Sequence, residues 1–134
     1  GLIARPDSVD STTLTSASQR FRITSEGPTP VVGDRLNKVG RTTGWTRGAV
    51  ESTCVNVNVS GTNFTLLCQE IVDAAVGGGD SGSPVFKVMS GTNVALYGIL
   101  WGGSDNGSQF VFSRLDSIES DLGPLRTCVA SLGC

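Results

Sequence analysis

The apolar residues of this chain occur in short, strand-length runs that are rich in β-branched residues, and none is long enough to cross a bilayer. Val55, Val57 and Val59 alternate with Asn56 and Asn58, which is the period-two pattern of a strand with one buried face. Strands are expected at 36–39, 45–51, 54–60, 64–72, 83–88, 94–101 and 109–112. Such a series of short strands favours an all-β barrel or sandwich.

The regions outside these strands divide into loops and one helix. Residues 1–5 have a strand-like pattern, whereas residues 6–20 and the proline-containing stretch 26–30 are predicted to be loops. A helix is expected after the last strand, capped by Ser113 and stopped by Gly123 and the proline after it. Its apolar face consists of Leu115, Ile118 and Leu122.

The four cysteines predict two disulfides formed in an oxidising compartment. Cys54 and Cys68 are symmetric about Gly61, so they would face each other across an antiparallel hairpin. The short separation of Cys128 and Cys134 predicts the second bond, although Cys128 could instead reach a separate domain. Because the chain has no histidine and no CxxC pair, a structural zinc site is not expected, and neither is any other metal or cofactor.

Charge and composition exclude several classes of function. The net charge of −2 leaves no basic stripe for phosphates, which argues against a nucleic-acid partner. No signal peptide opens the chain at Gly1, so a mature, processed and secreted form is expected, without a membrane segment. Sequons at Asn58, Asn63 and Asn106 are compatible with secretion, but such triplets are common by chance in a chain rich in Ser, Thr and Asn.

The stretch from Gly77 to Pro84, GGGDSGSP, is the part of the sequence that suggests chemistry. A phosphate-binding loop would need a lysine before the Ser or Thr, and none is present. A nucleophile elbow of the Gly-x-Ser-x-Gly type would need glycine where Ser83 stands and a helix after it. A plain β-turn remains possible on composition alone.

Residues 79–84 (GDSGSP) resemble the Gly-Asp-Ser-Gly-Gly-Pro signature of chymotrypsin-like serine proteases. Four further segments are similar in the same order, namely 40–48 (GRTTGWTRG), 98–103 (GILWGG), 110–112 with the helix after it, and 1–4 (GLIA). The first of these resembles the bacterial, streptogrisin-like branch, and the last resembles the residues just after the catalytic aspartate. The resemblance covers residues 1–123, the second half of the family fold, and leaves 124–134 as a tail.

The resemblance therefore implies an all-β domain that is the second barrel of a two-barrel fold. Together with the hairpin at Gly61 and the terminal helix, it predicts a six-stranded antiparallel Greek-key barrel with a short C-terminal helix packed outside it.

The same resemblance gives the residues their roles. Ser81 would be the nucleophile, and the backbone N–H groups of Gly79 and Ser81 would bind the oxyanion. Gly82 would leave room for the scissile carbonyl. Asp80 would be a buried carboxylate behind the oxyanion hole, held by a cation rather than acting in the triad. The branch supplies that cation from its GRTTG strand, which predicts a buried, bidentate ion pair between Arg41 and Asp80.

The triad histidine and aspartate would lie on the first barrel, upstream of Gly1. The expected function is thus the nucleophile-bearing half of a secreted serine endopeptidase, a hydrolase that acts on polypeptides through an acyl-enzyme. Its partner would be an N-terminal barrel, either a separate chain or a missing fragment. Alone, this chain would be inactive and would expose an apolar face.

Primary specificity has two alternatives. In one alignment Asp73 lies at the base of the specificity pocket and would select Arg or Lys, and in the other Ala75 takes that place and would favour apolar side chains. Trp101 stands where the branch has a small serine, and it would either narrow the pocket or pack on the barrel. The expected substrate-binding residues are Asp73, Ala74, Ala75, Trp101, Gly102 and Gly103.

Two other functions remain open. One is a non-catalytic binding or regulatory homologue of the same fold. The other is a secreted all-β adhesion module with a chance GDSG turn. A histidine and an aspartate encoded upstream would support the endopeptidase, a barrel without them would support the homologue, and no barrel at all would support the adhesion module.

Overall fold

The computed structural model describes residues 8–10 and 20–129 of the chain. It contains eight strands and one helix: β1 (Ser8–Asp10), β2 (Arg20–Glu26), β3 (Arg35–Gly40), β4 (Gly44–Asn58), β5 (Thr65–Val72), β6 (Pro84–Ser90), β7 (Asn93–Gly103), β8 (Phe110–Arg114) and α1 (Leu115–Leu122). No helix in these ranges is long and apolar enough to cross a membrane. The predicted strand at residues 1–5 lies outside the described residues.

Six of the strands close into a ring. Antiparallel pairings run in the order β3-β4-β5-β8-β7-β6 and return from β6 to β3. β5 lies next to β8 rather than next to β6, which is a Greek-key connection. The prediction of six antiparallel strands with Greek-key order and a C-terminal helix is confirmed.

Two strands outside the ring were not predicted. β2 pairs in parallel with β7, and β1 pairs antiparallel with β2. The loop predicted over 6–20 is therefore wrong at 8–10, where a short polar segment gives no apolar pattern. β2 does carry a signal, because Phe21 and Ile23 are buried and alternate with polar neighbours.

The core has two parts on opposite faces of β7. One cluster takes residues from all six ring strands, including Leu36, Val50, Val85 and Phe112. The other packs β2 and Val129 against β6 and β7. Each fully buried Val, Leu or Phe stabilises the fold by about 1.5–3 kcal/mol relative to an exposed position. The second cluster explains why β2 joins the sheet despite its parallel pairing.

The β4–β5 hairpin is long and irregular. The strands predicted at 45–51 and 54–60 are one continuous strand with register shifts, so the break expected between them is wrong. The Cys54–Cys68 disulfide is confirmed, with the two Cα atoms 3.6 Å apart. Cys128 is also disulfide-bonded, but the predicted partner Cys134 lies outside the described residues.

The helix lies on the surface. It begins after Arg114 without a side-chain cap, so the cap predicted at Ser113 is wrong. The Ser113 hydroxyl instead donates a hydrogen bond to Gln69 Oε1 at 2.6 Å. The helix ends as predicted at Gly123, whose φ is 90°. None of its residues is buried, although Leu115 packs against the second core cluster.

Candidate active site

Ser81 is exposed on the loop that connects β5 to β6. The Asp80 N–H donates to the Gly77 carbonyl at 3.0 Å, and the Ser83 N–H donates to the Asp80 carbonyl at 3.1 Å, which makes two successive tight turns. Gly79 between them has a φ of 99°, a conformation that only glycine adopts without strain. The turn chemistry of GGGDSGSP therefore places the serine hydroxyl at the tip of a tightly wound loop.

Asp80 is fully buried behind this loop. Its carboxylate accepts hydrogen bonds from the N–H groups of Thr42 (2.8 Å), Thr43 (3.1 Å) and Gly77 (3.0 Å) and from the Thr43 hydroxyl (2.6 Å). Burial alone would raise the pKa of Asp80, but these hydrogen bonds outweigh it and lower that pKa well below its ordinary value. Asp80 is therefore ionised and ties the serine loop to the β3–β4 turn.

The cation that pairs with Asp80 is Lys38, and the predicted Arg41–Asp80 ion pair is wrong. Lys38 Nζ lies 3.2 Å from Asp80 Oδ2, and neither side chain has exposed surface. The ammonium also donates to the Gly44 carbonyl at 3.0 Å and to the Thr43 hydroxyl. Burial lowers the pKa of Lys38, although the bond to Asp80 raises it in part.

Strand direction explains why the arginine does not reach the carboxylate. Lys38 follows the buried Leu36 by two residues on β3, so both side chains point into the ring. Arg41 comes after the strand, in the exposed β3–β4 turn. Its guanidinium lies beside Gly79, with Nη2 2.9 Å from the position that a Cβ of Gly79 would take. The sequence signal for Lys38 was a lysine at an inward position of a strand.

Two backbone donors at the serine loop have no partner within the part of the chain that the structure describes. The N–H groups of Gly79 and Ser81 donate no hydrogen bond to any described residue. The Ser81 hydroxyl donates to the Trp101 carbonyl at 3.1 Å. The loop thus presents one hydroxyl and two unused N–H groups on one exposed turn, a combination that can bind a developing negative charge.

A cavity of about 260 Å³ lies beside Ser81. Glycines make up much of its wall, and the predicted Gly102 and Gly103 are among them. Residues that were not predicted as part of the site also line it, among them Val76, Leu100 and Asp105.

The structure does not bring the other predicted specificity residues to this cavity. Asp73 is exposed and accepts a hydrogen bond from Gln109 Nε2 at 2.7 Å. Ala74 is buried in the ring core. The Ala75 carbonyl accepts a hydrogen bond from the Thr46 hydroxyl. Both alternatives for the pocket base came from alignment to the family, whereas in the structure the segment from Asp73 to Ala75 packs on β4.

Trp101 packs on the barrel rather than in the cavity. Its indole Nε1 donates to Gln69 Oε1 at 2.8 Å, and Gln69 is buried. The pairing of β7 with β8 shifts register between Leu100 and Gly102, which turns the Trp101 carbonyl toward Ser81. Its contribution to the site is therefore a backbone carbonyl, while its side chain contacts β5.

Comparison with known proteins gives matches among solved structures. Thermobifida fusca Protease A matches with a TM-score of 0.67 and 23% identity, over 87% of this chain and 57% of that one. Cellulomonas bogoriensis chymotrypsin matches with a TM-score of 0.64 and 23% identity, over 78% of this chain and 55% of that one. A third match is a serine protease specific for glutamic acid, which uses a histidine triad in substrate binding. Its TM-score is 0.67 and its identity 24%, over 90% of this chain and 60% of that one.

No family model and no curated protein matches the sequence. The structural matches show that this chain has the barrel fold of bacterial chymotrypsin-like serine proteases. It spans just over half the length of each of those three chains.

Proposed function

We propose that this chain is the nucleophile-bearing half of a serine endopeptidase. The observation that carries the proposal is the loop at Ser81, where an exposed hydroxyl and two free N–H groups stand above a buried, ionised Asp80. A loop fixed in this way keeps its donors in place before substrate arrives, which is the condition for stabilising an oxyanion.

In the proposed reaction a general base takes the proton of Ser81 Oγ, and the oxygen attacks the carbonyl carbon of a peptide bond. The carbonyl oxygen becomes an oxyanion that accepts hydrogen bonds from the N–H groups of Gly79 and Ser81. The base then donates that proton to the leaving amine as the intermediate collapses to an acyl-enzyme at Ser81. The same base takes a proton from water, which attacks the ester, and the proton returns to Ser81 Oγ as the carboxylic acid product leaves. The Trp101 carbonyl accepts a hydrogen bond from the Ser81 hydroxyl in the structure, but a backbone carbonyl is too weak a base to replace a histidine.

The base must come from another polypeptide segment, because this sequence contains no histidine. A segment that supplies the histidine and aspartate of a triad fits the share of the neighbours' length that this chain leaves uncovered. Without it, only the oxyanion and binding contributions would remain, so the chain alone is expected to be inactive.

A surface on which that segment could dock lies between the β4–β5 hairpin and α1. A groove of about 530 Å³ runs there, lined by Leu66, Leu67 and Ile118 and by a larger number of polar and charged residues, Gln69 and Asp116 among them. Leu67 is 66% exposed and the nearby Phe64 is 72% exposed. These exposed apolar side chains support docking at this surface.

Secretion is part of the proposal. The Cys54–Cys68 disulfide requires an oxidising compartment to form and persist. Mass spectrometry of the medium and the cell fraction of the source organism would locate the chain.

A fluorophosphonate probe tests the proposal, because it reacts only with an activated serine. The chain is co-expressed with the segment encoded upstream of it, and the complex is treated with the probe. We expect labelling of Ser81 that is lost in Ser81→Ala and absent from the chain alone. A stable complex that is never labelled would instead support a binding or regulatory homologue.

A further inference from the structure

Asp105 is the charged residue among those that line the cavity beside Ser81. The other residues that line this 260 Å³ space are uncharged, namely Val76, Leu100, two serines and five glycines. Pockets for whole ligands begin at about 300 Å³, so a cavity of this size suits one side chain.

The loop that carries Asp105 is fixed by its other polar groups. Ser104 Oγ donates to Asn106 Oδ1 at 2.8 Å and accepts from the Gln109 N–H at 3.0 Å. The Ser108 hydroxyl donates to the same Asn106 oxygen at 2.7 Å. These hydrogen bonds hold the turn closed on either side of Asp105.

The loop is also fastened to the opposite wall of the cavity. The Val76 N–H donates to the Gly107 carbonyl at 3.0 Å. Gly107 has a φ of 69°, and a Cβ there would lie 2.8 Å from the Val76 carbonyl oxygen. The loop therefore has little freedom to move Asp105 away from the cavity.

The carboxylate of Asp105 itself has no partner. No residue in the described ranges forms a hydrogen bond or an ion pair with it. Asp73 differs in this respect, since it accepts a hydrogen bond from Gln109 and does not line the cavity.

We propose that Asp105 is the specificity-determining residue of this cavity and selects a cationic side chain, that of lysine or arginine, next to the scissile bond. The role of Asp105 in selecting a substrate rests on the proposed endopeptidase function. An uncompensated carboxylate in an otherwise neutral cavity attracts a guanidinium or ammonium and repels a glutamate or aspartate side chain.

The test is a fluorescence titration of the full chain with 4-aminobenzamidine, a flat cation that imitates the end of an arginine side chain. The variants are Asp105→Asn and, as the matched control, Asp73→Asn, which removes a second exposed carboxylate nearby. We expect saturable binding by the unmodified chain, a dissociation constant about tenfold higher in Asp105→Asn, and no change in Asp73→Asn. Added salt should weaken binding by the unmodified chain more than binding by Asp105→Asn.

Equal affinity in the unmodified chain and Asp105→Asn would overturn the proposal. So would a loss of affinity in Asp73→Asn alone, or the absence of saturable binding by the unmodified chain. Because Asp105 is exposed and unpaired, Asp105→Asn should keep the thermal midpoint of the unmodified chain. Amidine binding is measured on the chain alone and does not need the base that activates Ser81. Failure of fluorophosphonate labelling would therefore count against the endopeptidase proposal, but not against cation binding at Asp105.

Discussion

The ion pair between Lys38 and Asp80 makes the first prediction. Both side chains are fully buried, so removing one partner leaves the other charge unpaired in the interior. Lys38→Met should lower the free energy of unfolding by about 3–5 kcal/mol, measured by urea denaturation at neutral pH.

Arg41→Ala is the matched control for that variant. Arg41 is exposed and forms no ion pair with Asp80 in the structure. Its free energy of unfolding should stay within about 0.5 kcal/mol of the unmodified chain, as is usual for surface substitutions. The reverse pattern, with a large loss in Arg41→Ala and none in Lys38→Met, would contradict the assignment.

A second prediction concerns acid stability. The pKa of Asp80 is lowered in the folded state by its hydrogen bonds, so the unfolded state takes up a proton first as the pH falls. The stability that Asp80 contributes is complete above its unfolded-state pKa of about 3.9, and is lost as the pH drops below that value. Urea midpoints measured between pH 5 and pH 2 should fall steeply, and less steeply in Asp80→Asn.

Residues that belong to a continuous motif could be placed from the sequence, whereas those that depend on tertiary packing could not. Ser81 and Gly79 lie where the glycine-rich turn predicts, because the turn chemistry is local. Lys38 and Asp105 come from strands and loops distant in sequence, and only the closed ring brings them to the site.

At the scale of elements, the Cys54–Cys68 disulfide fastens the longest hairpin of the fold. It closes a segment with a sequence separation of 14 residues. In the chain-entropy account, a loop of this length stabilises by about 3 kcal/mol. The double variant Cys54→Ala/Cys68→Ala should lose roughly 2–4 kcal/mol in urea denaturation, while keeping the circular dichroism of a β protein. An unchanged unfolding midpoint would show that the strand pairing alone fixes the hairpin.

Most elements could be predicted from their own pattern, and the errors have physical causes. The symmetry of Cys54 and Cys68 about Gly61 predicted the β4–β5 hairpin, but register shifts carry β4 across the expected break. β1 was missed because Ser8–Asp10 is short and mostly polar, so its sequence has no apolar alternation. The helix start was misplaced because Ser113 is used by Gln69 instead of the helix.

At the scale of the whole molecule, the groove between the β4–β5 hairpin and α1 gives the last prediction. Leu67→Lys should leave the stability of the isolated chain nearly unchanged, because the side chain is 66% exposed there. Under the proposed function it should weaken association with the segment that supplies the base, measured by analytical ultracentrifugation, since a lysine would have to be desolvated at an apolar contact.

Val32→Lys is the matched control, at a residue that is 64% exposed and does not line the groove. It should leave the association unchanged. Equal weakening by both variants would mean that added charge, rather than the groove, controls association.

The ring closes through β3 and β6, so it places Lys38 beneath Asp80 as soon as the chain has folded. The counter-ion of the serine loop is therefore synthesised together with the loop, and no later cleavage is needed to produce it. Under the proposed function, any delay between synthesis and activity would have to be imposed by whatever delivers or withholds the base. The half that carries Ser81 would then need no activation step of its own.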